Sequence, residues 1–471
     1  MNIEDQPGFP CLVPLFHKNG WRGIVLMKRS VKLSRFASPP FILVIGYVLI
    51  IALGTLLLML PIANHGGHAP HWIDSLFTSV SAACVTGLVV VDVDSTYTVF
   101  GETVILVLMQ LGGLGFMTLA TLFALLLGRR LSLKDRLLLK EAINADSMEG
   151  IVRIIRKVLI FSFTIEAIAA VVLALRWMRE MPVGQAIYYG IFHSVSLFNN
   201  GGFDLFGTSF QQYAGDFVFN MIASVLVLSG GLGFLVLSDL FDFRRTRRLT
   251  LHSKMVLSVS GALIVIGALV IFIFEFTNAR TLGGLNWEGK VYAAVFQSVS
   301  TRSSGTSTVD ISGLRQASQF FIMLLMIIGA SPGSTGGGIK TTTFLLMVGA
   351  LIAVMRGQKE IVFFRHRVPQ DIMMRALTII VMALFIFSIV VILLLMTEDA
   401  PFLSLAFEAA SAIGTVGLSV GVTPGLSDAG KLIICVTMFI GRIGPLTIAY
   451  AIRPRSTKTL YRRPEGHIVI G

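Results

Sequence analysis

The stretch Ser79-Val80-Ser81-Ala82-Ala83-Cys84-Val85-Thr86-Gly87-Leu88 occurs four times in the chain, each time in altered form. Its counterparts end in Asn199-Asn200-Gly201-Gly202-Phe203, Ser303-Ser304-Gly305-Thr306 and Gly414-Thr415-Val416-Gly417-Leu418. They are approached through Ser194-Val195-Ser196, Ser298-Val299-Ser300 and Ala409-Ala410-Ser411. The closing glycines Gly87, Gly202, Gly305 and Gly417 are 115, 103 and 112 residues apart. Each copy lies between two apolar spans and is itself too short and too polar to cross a membrane. A fourfold repeat of span, re-entrant loop and span allows one chain to enclose a cation pore.

Composition agrees with a polytopic membrane protein. Apolar residues are 54% of the 471 and charged residues only 14%, against about a quarter charged in soluble domains. Uncharged stretches such as 41–61 match the roughly 20 residues needed to cross hydrocarbon. The net charge of +12 invites a nucleic-acid reading until its distribution is considered. Of 38 Lys and Arg, 29 fall in residues 1–40, 128–157, 244–254, 356–375 and 453–463. These segments alternate with paired spans, so all lie on one face, which the positive-inside bias makes cytoplasmic. The excess is therefore a topology signal with the bilayer as its partner, and no nucleic-acid motif accompanies it. Both termini are expected inside, and no cleavable signal peptide is evident. Met27 offers an alternative start. Cys11, Cys84 and Cys435 are too few and scattered for a disulfide framework or zinc site.

The expected fold is an all-α polytopic membrane protein. Four span–pore loop–span repeats, with eight transmembrane helices, surround a central pore. A cytoplasmic N-terminal segment, 1–40, precedes repeat 1 at 41–127, with spans at 41–60 and 100–127. A linker, 128–153, holds Leu133, Leu137, Leu138 and Leu139 among basic residues and reads as an amphipathic surface helix. Repeat 2 follows at 154–243, with spans at 154–177 and 216–240. Repeat 3, 244–347, has spans at 255–276 and 316–347. Linker 348–371, repeat 4 at 372–452 with spans 373–396 and 429–451, and a cytoplasmic tail at 453–471 complete the chain. Re-entrant backbone cannot face lipid. Four such segments therefore converge on an axis, where helix C-termini carry partial negative charge.

Several residues stand out as candidates. A dehydrated cation needs several carbonyl oxygens turned inward at once, and backbone bent that way often requires glycine. Any single glycine here could instead serve close packing; four in the same context point to a filter. Gly305 lies five residues after its serine, where the other three lie six after Ser81, Ser196 and Ser411. Asp92, Asp204 and Asp310 follow their glycines and either attract cations at a mouth or tie down the loops. Thr86 and Asn199 are placed to bond the filter backbone from behind, and Arg302 to anchor loop carbonyls. Glu166 and Glu408 read as structural hydrogen-bonding groups, and His193 as a packed histidine.

Residues 329–340, Gly-Ala-Ser-Pro-Gly-Ser-Thr-Gly-Gly-Gly-Ile-Lys, cannot hold a straight helix. Ile339 stands where a phosphate loop would need lysine, so the stretch reads as a flexible plug below the filter or as a static kink. Arg442, about 14 residues into the last span, is a lone intramembrane charge and so a functional candidate. It would either oppose a cation below the filter or bond exposed carbonyls. A membrane-embedded serine protease would need a G-x-S-G nucleophile motif opposite a helical histidine, and a pump a nucleotide domain. Neither is present, so the chain does not read as an enzyme.

Taken together, these loops resemble the four filters of the Trk/Ktr/HKT superfamily of potassium transporters. Residues 329–343 resemble that family's intramembrane loop. Gly441-Arg442-Ile443-Gly444-Pro445-Leu446-Thr447 resembles its final pore-lining span. The likeness runs from about residue 40 to the C-terminus. It is closest to the Ktr-type membrane subunit, because only about 40 non-spanning residues precede the first pair of spans. The resemblance implies potassium uptake across the bacterial cytoplasmic membrane. The potassium-binding filter would consist of Val85, Thr86, Gly87, Asn200, Gly201, Gly202, Ser303, Ser304, Gly305, Thr415, Val416 and Gly417. The gate would comprise Gly333, Gly336, Gly337, Gly338, Lys340 and Arg442. It further implies a homodimer with one pore per protomer and a cytosolic ring of nucleotide-binding regulatory subunits. No cofactor is expected beyond the transported potassium, with sodium as activator in several members. In related HKT proteins serine at the first filter glycine accompanies sodium transport, so Gly87 favours potassium. The alternative is a sodium or weakly selective cation path. Pro332 and Thr306 depart from the family pattern.

Overall fold

The computed structural model of the chain describes residues 39–67, 70–115, 151–358 and 360–444. The expected surface helix of linker 128–153 lies outside these residues up to 150. So do the terminal segments, Cys11 and residues 445–447 of the last motif.

The fold is almost wholly helical. Repeat 1 contributes α1 (Pro39–Leu58), the short α2 (Trp72–Cys84) and α3 (Val99–Leu114). Repeat 2 contributes α4 (Ile151–Trp177), α5 (Val183–Asn199), α6 (Phe217–Gly231) and α7 (Phe234–Thr246). In repeat 3 come α8 (Leu251–Glu275), α9 (Trp287–Ser300), α10 (Gln316–Ile327) and α11 (Thr341–Met355). A two-stranded hairpin, Val362–Phe363 with His366–Arg367, leads to α12 (Gln370–Thr397), α13 (Phe402–Gly414) and α14 (Asp428–Ile443) of repeat 4. Helix starts carry side-chain caps where the sequence supplies them. Asp216, Thr250, Asn286 and Ser427 each accept from a backbone N–H three residues on, occupying one of the donors a helix start leaves free.

Packing closes the four repeats into a ring. Within each repeat the pore helix (α2, α5, α9 or α13) packs on the first span. Each second span in turn packs on the pore helix of the next repeat: α3 on α5, α6 on α9, α10 on α13, and α14 back on α2. At this last junction Lys431 on α14 pairs with Asp74 in the first turn of α2, at 2.7 Å. A carboxylate there also faces the positive end of α2. The first serine of three pore-helix motifs fixes helix to span. Ser79 donates to Ile51 O, Ser194 to Glu166 O and Ser298 to Ile264 O, at 2.6–2.8 Å. Ala409 takes this place in the fourth repeat.

The second spans of repeats 1, 2 and 4 differ from the expected continuous helices, while that of repeat 3 is interrupted at 328–340 as expected. Among the described residues, four helices are long and apolar enough to cross a membrane, all of them first spans. The expected span 216–240 is instead two helices that meet at 106°. The cause is Gly233, whose φ of 93° and ψ of 143° no helix admits. Gly115 and Gly444 end α3 and α14 in the same conformation. Repeat 3 breaks at the same level, between α10 and α11, and α11 runs past the expected boundary at 347 to Met355.

Candidate functional site

Four pore helices direct their C-terminal ends at one point, and the loops leaving them form a closed ring. Gly87, Gly202, Gly305 and Gly417 all have positive φ, of 88°, 76°, 71° and 98°. They touch in chain order. A side-chain carbon on Gly87 would lie 2.6 Å from Gly202 Cα, and one on Gly202 2.9 Å from Ser304 O. One on Gly305 would collide with Val416 O, and one on Gly417 with Thr86 O. The carbonyls met, of Thr86, Gly201, Ser304 and Val416, belong to the residues just before the four glycines. Equivalent oxygens thus sit between neighbouring loops all round the ring. Both the backbone angle and the lack of room exclude any residue but glycine.

The bend into the ring is a left-handed residue at the helix end: Val85, Asn200 and Thr415, with φ of 56°, 60° and 48°. The next N–H turns back to the motif's serine carbonyl, from Thr86 to Ser81, Gly201 to Ser196 and Val416 to Ser411, at 2.7–2.9 Å. The third loop lacks this residue. There Ser303 and Ser304 both bond Ser300 O at 3.0–3.1 Å, and Gly305 reaches the ring one residue sooner. The serine hydroxyls hold the ring from behind. Ser81 and Ser411 accept from Gly87 N and Gly417 N at 3.0 Å, while Ser196 and Ser300 donate to Phe203 O and Thr306 O.

This corrects the expectation for Thr86 and Asn199. Thr86 Oγ1 is buried and makes no hydrogen bond among the described residues. Asn199 donates to Gln110, Glu166 and Val195 O rather than to filter backbone. Its side chain leaves the helix one residue too early to reach around the bend. Arg302 likewise bonds Ser260 on α8, at 3.2 and 3.4 Å, and not loop carbonyls. Glu166 and Glu408 are structural acceptors as expected. Glu408 takes bonds from Ser419, Val420 N and Thr423 at 2.6–3.1 Å. His193 is buried among aromatic rings, bonded to Tyr189 O and accepting from Leu205 N. Of the loop carboxylates, Asp204 and Asp310 each accept a backbone N–H two residues on, at 2.9 and 3.0 Å, and Asp92 is exposed. Removal from water pushes Asp204 up to about 6, Asp92's charge adding to the effect and backbone N–H groups opposing it.

On the side of the ring toward which the second spans run lies the loop between α10 and α11. Asn200 Nδ2 donates to Thr335 Oγ1 at 2.6 Å, and Gly337 N to Thr415 Oγ1 at 2.8 Å. Gly336 fits against Ser303, with no space for a side chain. The loop is closed on itself by Ala330 N to Gly337 O and Ile339 N to Ile327 O, both at 3.2 Å. Lys340 bonds Gly336 O at 2.6 Å. Gly333 and Gly338 supply positive φ of 65° and 72°. The loop also serves the bend of repeat 2: Thr335 N bonds Gly230 O, Ser331 N bonds Gly231 O, and Phe234 N bonds Gly333 O. Arg442 does the same for repeat 1, donating to Gly112 O, to Gly113 O at 3.4 Å, and to Thr335 O of the loop. It thereby ties loop to α3.

The sequence reading missed the matching breaks in the second spans of repeats 1, 2 and 4, although the signal was present. Gly112-Gly113-Leu114-Gly115-Phe116 recurs as Gly230-Gly231-Leu232-Gly233-Phe234 and, altered, as Gly441-Arg442-Ile443-Gly444-Pro445. A side-chain carbon on Gly112, Gly230 or Gly441 would strike Ala83 O, Phe198 O or Ile413 O, each near the end of that repeat's own pore helix. Arg442 stands where the other two copies have their second glycine.

A family model described as a cation transport protein, TrkH, matches residues 26–458. The Ktr system potassium uptake protein B of Bacillus subtilis is 42% identical over 443 residues, covering 94% of this chain and 99% of that protein. The potassium/sodium uptake protein NtpJ of Enterococcus hirae is 35% identical over 454 residues, covering 95% and 100%. In fold, the chain matches the crystal structure of the potassium transporter TrkH from Vibrio parahaemolyticus with a TM-score of 0.69. That match has 19% identity over 89% of this chain and 85% of the other.

Proposed function

Because the chain belongs to the TrkH family of cation transport proteins, as a multi-pass membrane protein of the Ktr type, we propose that it takes up potassium through the axis of the glycine ring. The observation that carries this reading is the set of equivalent carbonyls, Thr86, Gly201, Ser304 and Val416, held between the four glycines. Such oxygens replace water around a monovalent cation. Four helix C-termini aimed at the same point add a negative potential without a charged ligand. The filter then consists of Val85–Gly87, Asn200–Gly202, Ser303–Gly305 and Thr415–Gly417.

In this reading the 329–340 loop and Arg442 form the gate. Lys340 and the residues Gly333 and Gly336–Gly338 let the loop fold beneath the filter. The membrane is the cytoplasmic membrane, with both termini inside. The working assembly is a homodimer carrying a cytosolic nucleotide-binding ring, with sodium as a candidate activator. A second reading, passage of both sodium and potassium, is favoured by the name of the Enterococcus hirae relative.

Initial uptake of each ion into vesicles containing the purified protein decides between them. Potassium entering at least about tenfold faster, a barrier difference of about 1.4 kcal/mol, is the expected result. Equal rates would overturn potassium selectivity and leave the second reading.

A further inference from the structure

A cavity of about 30 Å³ opens between α10, α12, α13 and α14, beside the loop that closes on the ring. Its walls include Ile339, Ala383, Leu384, Phe387, Ile413 and Gly441. They offer no charged or hydroxyl side chain, so water would find few partners there. Ala383 and Leu384 are at the midpoint of the 28-residue α12. The cavity is therefore near the middle of the hydrocarbon layer, about 15 Å from either interface. Leu384 is 49% exposed, and its neighbours Val381 and Phe385 are 57% and 66% exposed. The mouth thus faces the lipid.

We propose that this cavity seats the methyl end of a lipid acyl chain. A chain descending from one interface reaches the midplane with its terminal methylenes, which match the apolar walls and carry no polar group to desolvate. Inside, those methylenes touch two parts of the permeation machinery. Gly338 and Ile339 belong to the loop, and Ile413 is two residues before Thr415, whose hydroxyl holds Gly337. The occupied cavity also denies the loop the space into which Gly338 and Ile339 would withdraw. This last consequence rests on the proposed gate; binding of the chain does not.

The test uses the full-length protein in vesicles and a phosphatidylcholine with a photoreactive diazirine, placed near the chain terminus or near the carboxyl end. Labelled positions are mapped by mass spectrometry, with no ion flux required. The terminal probe is expected to label Ile339, Ala383 or Ile413. The carboxyl-end probe should not label them, and Ala383→Phe should reduce labelling of Ile339 and Ile413 at least about fivefold. Should Ala383→Phe fail to fold, Leu384→Trp closes the mouth from its exposed side and is expected to have the same effect. Labelling confined to Val381 and Phe385 overturns the proposal, as does labelling of Ile413 that neither variant reduces. Cross-linking of two copies through Leu384→Cys, with the cavity residues shielded from both probes, assigns the face to a second protomer and also overturns it.

Discussion

Replacing Arg442 by alanine removes the group that ties the 329–340 loop to α3. The guanidinium donates to Thr335 O, Gly112 O and Gly113 O, and its Nε lies 3.4 Å from the Tyr47 hydroxyl. A hydrogen bond from a charged group contributes about 1.5–3 kcal/mol, and a buried acceptor left bare costs about 1–3 kcal/mol. Arg442 is half-buried, so water replaces part of what is lost. A net loss of roughly 3 kcal/mol to the closed arrangement follows, which is about a hundredfold in the open-to-closed ratio. On the proposed gate, removing its positive charge acts in the same direction. Initial potassium uptake by Arg442→Ala should therefore rise at least about tenfold, with a modest fall in thermal stability. Arg442→Lys, with one compact ammonium in place of the planar fork, should lie between. Both quantities are measured on one purified sample in vesicles. Uptake within twofold of the unaltered protein, together with a large loss of stability, would refute the role in the path and leave Arg442 as a structural donor.

Gly87→Ser places a side chain against Gly202 Cα and Gly201 O at a φ of 88°. The ring must widen, so the ratio of sodium to potassium uptake should rise about tenfold or more; an unchanged ratio counts against Gly87 as a filter residue. Ser411→Ala removes the hydroxyl that accepts from Gly417 N at 3.0 Å. It should weaken selectivity while costing only about 1–2 kcal/mol of stability, a result read from competition uptake and unfolding of one sample. With Asp204 titrating at about 6, its ionised fraction falls from about nine-tenths at pH 7 to about one-tenth at pH 5. Uptake at low potassium should fall over that range, and Asp204→Asn should flatten the profile; a profile unchanged by the substitution removes Asp204 from the mouth.

The repeat of span, loop and span was legible because membrane insertion leaves a strong trace in composition, and glycine is the one residue that the ring tolerates. The roles of the paired serines were not. Ser79 and Ser81 are two residues apart on one helix, yet one bonds a neighbouring span and the other the glycine ring. Which serine does which depends on how the helix is rotated against its neighbours. Asn199 misled for the same reason, since its nearness in sequence to Gly202 does not survive the left-handed turn at Asn200. The breaks in the second spans of repeats 1, 2 and 4 were hidden differently. A glycine in an apolar run packs helices as readily as it ends one, and only the alignment of 112–116 with 230–234 separates the two cases.

Plug and static kink cease to be exclusive alternatives once the bonds of the 329–340 loop are traced. Withdrawal of the loop would release the bonds of Thr335 Oγ1, Gly337 N, Thr335 N, Ser331 N and Gly333 O, and the arginine bond to Thr335 O. In hydrocarbon each freed group would cost several kcal/mol, and the loop would be fixed. Along a water-filled axis each bond is exchanged for one to water, at a net of about 0.5–1.5 kcal/mol, or roughly 3–9 kcal/mol for the six. A shift from almost always closed to almost always open requires about 5.5 kcal/mol of differential binding, within that range. On the proposed gate, the same bonds that complete the broken helices would thus set a closed state within reach of a partner of ordinary affinity.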